Sequence, residues 1–227
     1  MGRLAVILGS SALGPGGEQI AAAAAQHGAA IVQRHASGSG AYVLPHQIDH
    51  AANLRPLAEQ GVDRVLAISS VGSLKPELPV GTLVCPDDFI ALHLEHSIFA
   101  DARAHSAPSF DQPLREEALA AWSASGQQPV DGGVYWQAIG PRFETPAEIR
   151  LMAAHADVVG MTVGAECVVA GELELQYAAL CMVDNLANGL GPAQLSIAEI
   201  ERDRAANAAL LRDGLEAVLP RLGAVGR

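Results

Sequence analysis

The segment YAALCMVDN, residues Tyr177–Asn185, decides the fold of this chain. Seven apolar or aromatic residues follow one another without the alternation expected of a strand buried on one face, and the run ends in Asp-Asn. Such a run is typical of a parallel strand that is covered on both faces. The segment DRVLAISS, residues Asp63–Ser70, has the same character. Both segments predict central strands of a parallel sheet with polar residues at their carboxyl ends.

The rest of the chain alternates short apolar runs with helical patterns, which favours a single α/β domain over residues 1–227 with a mixed, largely parallel sheet. Further strands are predicted at Arg3–Gly9, Ala29–His35, Tyr42–Leu44, Thr82–Ile90, Val134–Gly140 and Asp157–Thr162. Helices are predicted at Glu18–His27, Asp49–Gln60, Leu114–Ser123 and from Ile197 to about Leu219.

Two helix starts carry a capping box, in which Ser or Thr precedes the helix and Glu follows three residues later. They are Thr145–Glu148 and Ser196–Glu199. The segment Leu92–Phe110 carries few structural signals and is predicted to be a long functional loop.

The composition excludes several classes of protein. The net charge of −11 and the absence of a basic stripe argue against nucleic-acid binding. No segment offers the ~20 apolar residues that span a membrane. Three cysteines without a C-x-x-C spacing, Cys85, Cys167 and Cys181, predict buried free thiols in a reducing compartment. We therefore expect a cytoplasmic protein.

The carboxyl ends of the predicted strands carry polar residues, and ligands bind at this edge of α/β sheets. Gly and Ser in LGSSALG after the first strand can hold an anion, although ordinary turns look alike. This loop lacks the G-x-G-x-x-G fingerprint, which disfavours NAD. Arg34 offers a bidentate clamp for phosphate, or else forms a surface ion pair. Hydroxyl and amide groups follow other strands at Ser69, Ser70, Val71 and Thr162.

The loop GPRFET, residues Gly140–Thr145, places Arg, Phe and Glu directly before a helix start. Phe143 can stack on a flat ring, while Glu144 and Asn185 can read its donors and acceptors. The alternative for Asn185 is a turn cap, because a buried strand that ends in Asp-Asn needs hydrogen-bond partners. The sequence thus combines groups for an anion with groups for a planar polar ligand.

Six segments in order resemble the trimeric purine nucleoside phosphorylases, a group that includes the methylthioadenosine and methylthioinosine phosphorylases. The segments are ILGSSAL, RHASG with YVLPHQIDHAANLRPL, AISSVGSLKPELPVGTLV, GPRFETPAEI, VVGMTVGAE and MVDNLANG. The resemblance covers about residues 4 to 220. It implies a three-layer α/β/α nucleoside phosphorylase fold and phosphate-dependent cleavage of purine nucleosides to free base and α-pentose 1-phosphate. The region before Arg34 is shorter than in the family, and Ala165 stands where the family has proline.

The resemblance also implies roles for individual residues. The phosphate ligands would be Ser10, Ser11, Arg34, His35, Ser70, Val71 and Thr162. The base would be bound by Phe143, Glu144, Asn185 and Asn188, with Asn185 and Glu144 as catalytic residues, and the sugar by Met161, Ile200 and His105. His105 would reach the sugar pocket of a neighbouring subunit in a homotrimer, or in a hexamer built as a dimer of trimers. Orthophosphate would be a co-substrate, with no cofactor and no metal.

The expected substrates are 6-oxopurine nucleosides of the inosine and guanosine type. Similar enzymes that act on 6-aminopurines have Asp where this chain has Asn185, and a charged Glu144 would accept from N1–H of a 6-oxopurine but repel unprotonated N1 of adenine. Ile197 and Ile200 at the start of the last helix would favour a 5′-methylthio or deoxy group, unless both are ordinary core residues. The alternatives are therefore a 5′-methylthioinosine or 5′-methylthioadenosine phosphorylase, a nucleoside hydrolase and a non-catalytic purine-binding protein.

Overall fold

The computed structural model describes residues 3–10, 17–36, 41–94, 96–191 and 197–223. The strands within these ranges are β1 Arg3–Leu8, β2 Ala30–Gln33, β3 Val62–Ser73, β4 Leu83–Cys85, β5 Asp88–Ile90, β6 Val130–Asp131, β7 Val134–Gln137, β8 Val158–Gly160 and β9 Gln176–Leu186. The α-helices are α1 Gly17–Gln26, α2 His50–Glu59, α3 Gln112–Ser123, α4 Pro146–Ala153, α5 Val163–Glu172 and α6 Ile197–Gly223. Short 3-10 helices cover Pro45–Gln47 and Ala102–Ala104.

The strands form one mixed sheet around β3 and β9. These two strands run parallel from Arg64 beside Gln176 to Ser73 beside Leu186. The first part of β3 also pairs in parallel with β1, and its end pairs antiparallel with β8 at Gly72 and Ser73. Because β3 changes neighbours along its length, the sheet curls around the end of this strand.

Helices cover both faces of the sheet and create two cores. One core packs α1, α3 and α6 against alternate residues of β1, β3 and β9, and it includes the buried Trp122. The opposite core packs α2 and α5 against the intervening residues. A smaller cluster places α4 beside β7 and β8. The predicted α/β/α layering with central strands buried on both faces is confirmed.

Several strand predictions differ from the structure. The predicted strand Thr82–Ile90 is two strands, because Pro86 cannot donate to a ladder and β4 and β5 pair with different neighbours. The strand predicted at Ala29–His35 ends at Gln33. Tyr42 forms only an isolated bridge with Ala36 instead of beginning a strand.

The capping box predicted at Thr145 is present. The Thr145 hydroxyl accepts from the Glu148 amide at 3.3 Å, and the Glu148 carboxylate accepts from the Thr145 amide at 2.7 Å. Ser196, the start of the second predicted box, lies outside the described residues. Leu92–Phe110 is a long connection that contains one short 3-10 helix, as the weak signals predicted.

Replacing Thr145 with alanine is expected to lower the free energy of unfolding by about 1 kcal/mol, because an amide at the start of α4 loses its acceptor. Urea denaturation measures this difference. Ser109→Ala is the matched control, since Ser109 is exposed and outside any helix or strand, and it should change stability far less. Equal effects of the two changes would show that the box does not stabilise α4.

The prediction of buried free thiols is confirmed for all three cysteines. Burial raises the pKa of Cys85 to about 11 and that of Cys167 to about 12, so these thiols stay protonated at neutral pH. In the described parts of the chain, no helix combines the length and apolar character needed to cross a membrane.

Candidate active site

A cleft of about 770 Å³, open mouth included, lies at the carboxyl ends of β1, β2, β3, β8 and β9. The loop before α4 and one face of α6 complete its walls. Of the predicted site residues, Ser10, Arg34, His35, Ser70, Val71, Phe143, Glu144, Met161, Thr162, Asn185, Asn188 and Ile200 line it. Residues far apart in sequence therefore meet at the edge of the sheet where ligands were expected.

Two predicted residues are not placed in this cleft. Ser11 lies outside the described residues. His105 is exposed in the long connection between β5 and α3 and does not line the cleft. Its predicted contact with a neighbouring subunit stays a prediction.

Arg34 is fully buried and forms a bidentate pair with Glu166. Its Nε and Nη2 donate to the two carboxylate oxygens at 2.9 and 2.8 Å, and Nη1 donates to the Ile68 carbonyl at 3.0 Å. The alternative of a surface ion pair is wrong, because Arg34 is 1% and Glu166 0% exposed. Three of the five guanidinium donors are thus used inside the protein. One N–H on Nη1 and one on Nη2 are left for a ligand, so Nε cannot take part in a bidentate contact with phosphate.

Glu166 is held by more than this arginine. The Tyr177 hydroxyl donates to it at 2.7 Å, and Nδ1 of His50 lies 3.7 Å from its other oxygen. Burial alone would raise the pKa of Glu166, but the charge and hydrogen bonds of Arg34 hold it far below its usual value. The carboxylate is therefore ionised at neutral pH and fixes the guanidinium beside the cleft.

Gly9 is needed where the Arg34 side chain passes the end of β1. A Cβ atom at this position would lie 2.8 Å from the Ile68 carbonyl oxygen and would also collide with Nη1 of Arg34. The predicted strand end at Gly9 is thus also the point at which the backbone makes room for the buried ion pair.

The Ser70 hydroxyl lines the cleft and is hydrogen-bonded within the protein. It donates its proton to the buried carboxylate of Asp184, which also accepts from Nδ2 of Asn207 at 2.8 Å. A hydroxyl has one proton to give. In this structure Asp184 takes that donor, and the predicted contact of Ser70 with phosphate stays a prediction.

His35 lines the cleft next to Arg34 and is a neutral ring. Its Nδ1 lies 2.8 Å from the Val43 carbonyl, which places the proton on Nδ1 and leaves Nε2 as an acceptor. Burial lowers the pKa of His35, and the charge of Arg34 acts in the same direction against the effect of the Val43 carbonyl. Tyr42 stacks on the ring with centroids 4.7 Å apart. Nε2 of His35 can therefore accept a hydrogen bond from a protonated phosphate oxygen.

Thr162 precedes α5 but does not cap it. The Tyr135 hydroxyl accepts from the amides of Thr162 and Val163 at 3.2 and 3.3 Å, and Gln137 accepts from the Gly164 amide at 2.9 Å. The Thr162 side chain makes no capping bond. Its hydroxyl consequently remains available on the wall of the cleft.

The adjacent Arg142, Phe143 and Glu144 of the loop before α4 have different roles. Arg142 points outward and forms a bidentate pair with Glu148 at 2.8 and 2.7 Å, which fastens the loop to its own helix. Phe143 and Glu144 can then face the cleft. Nδ2 of Asn188 donates to the Glu144 carbonyl at 2.9 Å and ties the loop to the end of β9.

Glu144 and Asn185 are the two groups suited to read a polar ring. The Glu144 side chain is 8% exposed, and burial raises the pKa of its carboxyl above the usual value. Nδ2 of Asn185 donates to the Leu186 carbonyl at 2.9 Å, which leaves its second N–H for a ligand. Gly72 lies against this amide, where an added Cβ would be 3.2 Å from Nδ2.

Comparison with known protein families and sequences identifies the family of this chain. Residues 16–220 match the family model described as the Phosphorylase superfamily. The chain belongs to the phosphorylase superfamily. A "Probable 6-oxopurine nucleoside phosphorylase" of Archaeoglobus fulgidus is 41% identical over 180 residues, which cover 79% of this chain and 73% of the relative. A "Probable S-methyl-5'-thioinosine phosphorylase" of Methanothermobacter thermautotrophicus is 39% identical over 173 residues, covering 75% and 60%.

Solved members of the phosphorylase superfamily share the fold at low sequence identity. Methylthioadenosine phosphorylase from Schistosoma mansoni in complex with adenine has a TM-score of 0.82 and 18% identity, covering 99% of this chain and 92% of that structure. The family and fold predicted from the sequence are confirmed.

Several residues of the cleft were missed by sequence reasoning. Arg204 follows Ile200 by four residues, so helical spacing alone could have placed it on the same face of α6. Tyr42 had no such signal, because its position depends on the bridge to Ala36 and the stack on His35. A second cavity of about 460 Å³ adjoins the cleft at Met161 and is lined by His46, His50, His93 and His96. Across the described ranges, no three His, Cys, Asp or Glu side chains are grouped to hold a metal ion.

Proposed function

We propose that this protein is a purine nucleoside phosphorylase that cleaves 6-oxopurine nucleosides of the inosine and guanosine type with orthophosphate. The observation that carries the proposal is one cleft that brings together two kinds of polar group. A buried carboxylate and a carboxamide, Glu144 and Asn185, line it. Arg34, His35 and hydroxyl groups suited to an anion line the same cleft.

In this proposal, catalysis rests on positioning and on charge. Phosphate held by Ser10, Thr162 and the free donors of Arg34 attacks the anomeric carbon as the glycosidic bond breaks through an oxocarbenium-like state. The leaving purine gains negative charge at N7 and O6. The free N–H of Asn185 donates to it more strongly as this charge develops, so the bond favours the transition state over bound substrate.

Base selection follows from the protonation of Glu144. An ionised carboxylate accepts from N1–H of hypoxanthine or guanine, and from the 2-amino group of guanine. Unprotonated N1 of adenine would face the carboxylate with no proton between them. The relatives named as 6-oxopurine nucleoside phosphorylases support this choice.

The second candidate is a 5′-methylthioinosine phosphorylase, with the same base and a different sugar. The apolar Ile200 is 4% exposed on the wall of the cleft and favours an apolar 5′ group. Relatives named as S-methyl-5'-thioinosine phosphorylases support this candidate.

A substrate panel tests the proposal. Release of free base is followed with inosine, guanosine, 5′-methylthioinosine and 5′-methylthioadenosine at a fixed phosphate concentration. We expect the 6-oxopurine substrates to have much higher kcat/KM than methylthioadenosine, and the better of inosine and methylthioinosine identifies the 5′ group. A clear preference for methylthioadenosine would overturn the base assignment. Purine binding without turnover of any substrate would favour a binding protein.

The choice of base is also expected to depend on pH. The pKa of Glu144 is raised by burial, so kcat/KM for inosine should fall as the pH decreases through this raised value and the acceptor is lost. The neutral carboxyl becomes a donor that suits N1 of adenine. The adenosine to inosine ratio of kcat/KM, measured from pH 8 down to the lowest pH at which the protein stays folded, should therefore rise on acidification.

Glu144→Gln is the matched control, because its amide does not titrate. In this variant the ratio should be higher at neutral pH and nearly constant with pH. A wild-type ratio that does not change over this range would contradict the assigned role of Glu144.

Further parts of the proposal concern assembly and location. We expect a homotrimer, or a hexamer of two trimers, in which His105 reaches the sugar site of a neighbouring subunit. We also expect a cytoplasmic location and a reaction that uses orthophosphate as co-substrate with no cofactor. Light scattering combined with a His105→Ala variant tests the assembly and the shared site.

A further inference from the structure

The cleft contains a second arginine with few internal partners. Arg204 lies on α6, four residues after Ile200, and its side chain is 30% exposed. Its Nε is buried without a hydrogen bond, and no described residue accepts a hydrogen bond from the guanidinium. The nearest carboxylate oxygen belongs to Asp184, 3.7 Å from Nε. Arg204 is thus held by charge rather than by hydrogen bonds.

Asp184 is fully buried and already has other donors. It accepts from the Ser70 hydroxyl and from Asn207, which also donates to the Val183 carbonyl at 3.2 Å. Asp184 therefore stays in place without Arg204. Its charge keeps the guanidinium near the strand end that carries Ser70 while leaving the guanidinium donors available.

The basic side chains of Arg34, His35 and Lys75 already have partners or carry no charge. Arg34 shares its charge with Glu166, and His35 is neutral because burial lowers its pKa. Lys75 lies elsewhere and donates to the Ala153 carbonyl. Burial is the main influence on the pKa of both His35 and Tyr42, and the charge of Arg204 acts on both in the lowering direction. Arg204 therefore lies close to His35 and Tyr42 in the cleft.

We propose that Arg204 binds the orthophosphate co-substrate directly and that Asp184 holds the guanidinium at this place until phosphate arrives. This inference rests on the proposed function. It adds a phosphate-binding residue that the resemblance to the family did not suggest. A dianion requires charged donors, and a guanidinium offers several in one plane. Arg34 donates to Glu166 and Ser70 donates to Asp184, so these donors are not free for phosphate. Arg204 supplies donors to phosphate in their place.

Two variants test this role. Arg204→Met should raise the KM for phosphate about 10- to 100-fold, since charge-assisted hydrogen bonds are lost, with much less change in the KM for nucleoside. Asp184→Asn removes the charge that holds the guanidinium while preserving the size of the side chain, and should also raise the KM for phosphate, by less than Arg204→Met does. The control is Arg202→Met, because Arg202 lies on the same helix and is 71% exposed.

Calorimetric titration with orthophosphate separates this inference from the proposed function, because it needs no turnover. Phosphate binding by the wild-type protein that weakens in Arg204→Met and not in Arg202→Met supports the inference, even if no nucleoside is cleaved. Equal phosphate affinity of wild type and Arg204→Met overturns it. Unchanged phosphate affinity with an altered preference between inosine and methylthioinosine also overturns it and assigns Arg204 to the sugar. Turnover without phosphate would instead refute the proposed function.

Discussion

Replacing Glu166 with glutamine is expected to lower the free energy of unfolding by about 3–5 kcal/mol at pH 7, because the Arg34 charge is left buried without its partner. Both side chains are inaccessible to water, and two hydrogen bonds join them. Glutamine has nearly the same volume, so a cavity cannot account for the loss. Urea denaturation followed by circular dichroism measures the difference.

The pH dependence of this difference has a definite sign. The pKa of Glu166 in the folded protein is held below its ordinary value of 4.5. A carboxyl with a lowered pKa contributes its stability above its unfolded pKa and loses it as the pH falls toward the folded value. The gap between wild type and Glu166→Gln should therefore be constant near neutrality and narrow below about pH 4.5.

Asp101→Asn is the matched control. It also removes a carboxylate from a bidentate pair with arginine, but Asp101 and Arg103 are 55% and 66% exposed. Exposed pairs contribute at most about 1 kcal/mol. A loss in Glu166→Gln as small as in Asp101→Asn would mean that the buried pair is not a major source of stability.

Asn185→Ala has the second large expected effect, a decrease in kcat for inosine of about 10²–10³. The lost N–H is the donor assigned to the leaving purine, and it acts most strongly as negative charge develops there. The KM for inosine should change much less, because the bond is weaker in the ground state. Steady-state kinetics at saturating phosphate measures both constants.

Asn188→Ala provides the comparison. Asn188 lies in the same cleft but donates to the Glu144 carbonyl, so its loss should loosen the base loop and act mainly on KM. Equal decreases of kcat in the two variants would contradict a specific role for Asn185 in leaving-group stabilisation. A kcat of Asn185→Ala within a few-fold of wild type would have the same meaning.

The sequence was sufficient for features that depend on local pattern. The continuous apolar runs of β3 and β9 identify central strands, because the middle of a strand covered on both faces rarely contains a polar side chain. Polar residues at the strand ends then indicate the cleft, since parallel strands place their carboxyl ends at one edge of the sheet. The Thr145 capping box was readable because its partners are three residues apart.

Other features depend on contacts between distant parts of the chain and had no local signal. Glu166 lies 132 residues from Arg34, so nothing near Arg34 indicates that its guanidinium is already paired. The hydrogen bond from the Ser70 hydroxyl to Asp184 likewise joins residues that are 114 positions apart in the sequence. These long-range pairs change which groups remain for phosphate, although the same residues still line the cleft.

The central claim is that orthophosphate attacks a 6-oxopurine nucleoside in this cleft, and phosphorus NMR of the reaction products tests it most directly. The wild-type protein is incubated with inosine and orthophosphate, and with inosine alone. The account predicts pentose 1-phosphate in amounts equal to the hypoxanthine released, and no release without phosphate. Hypoxanthine release at the same rate in both samples, with free ribose and no sugar phosphate, would contradict it.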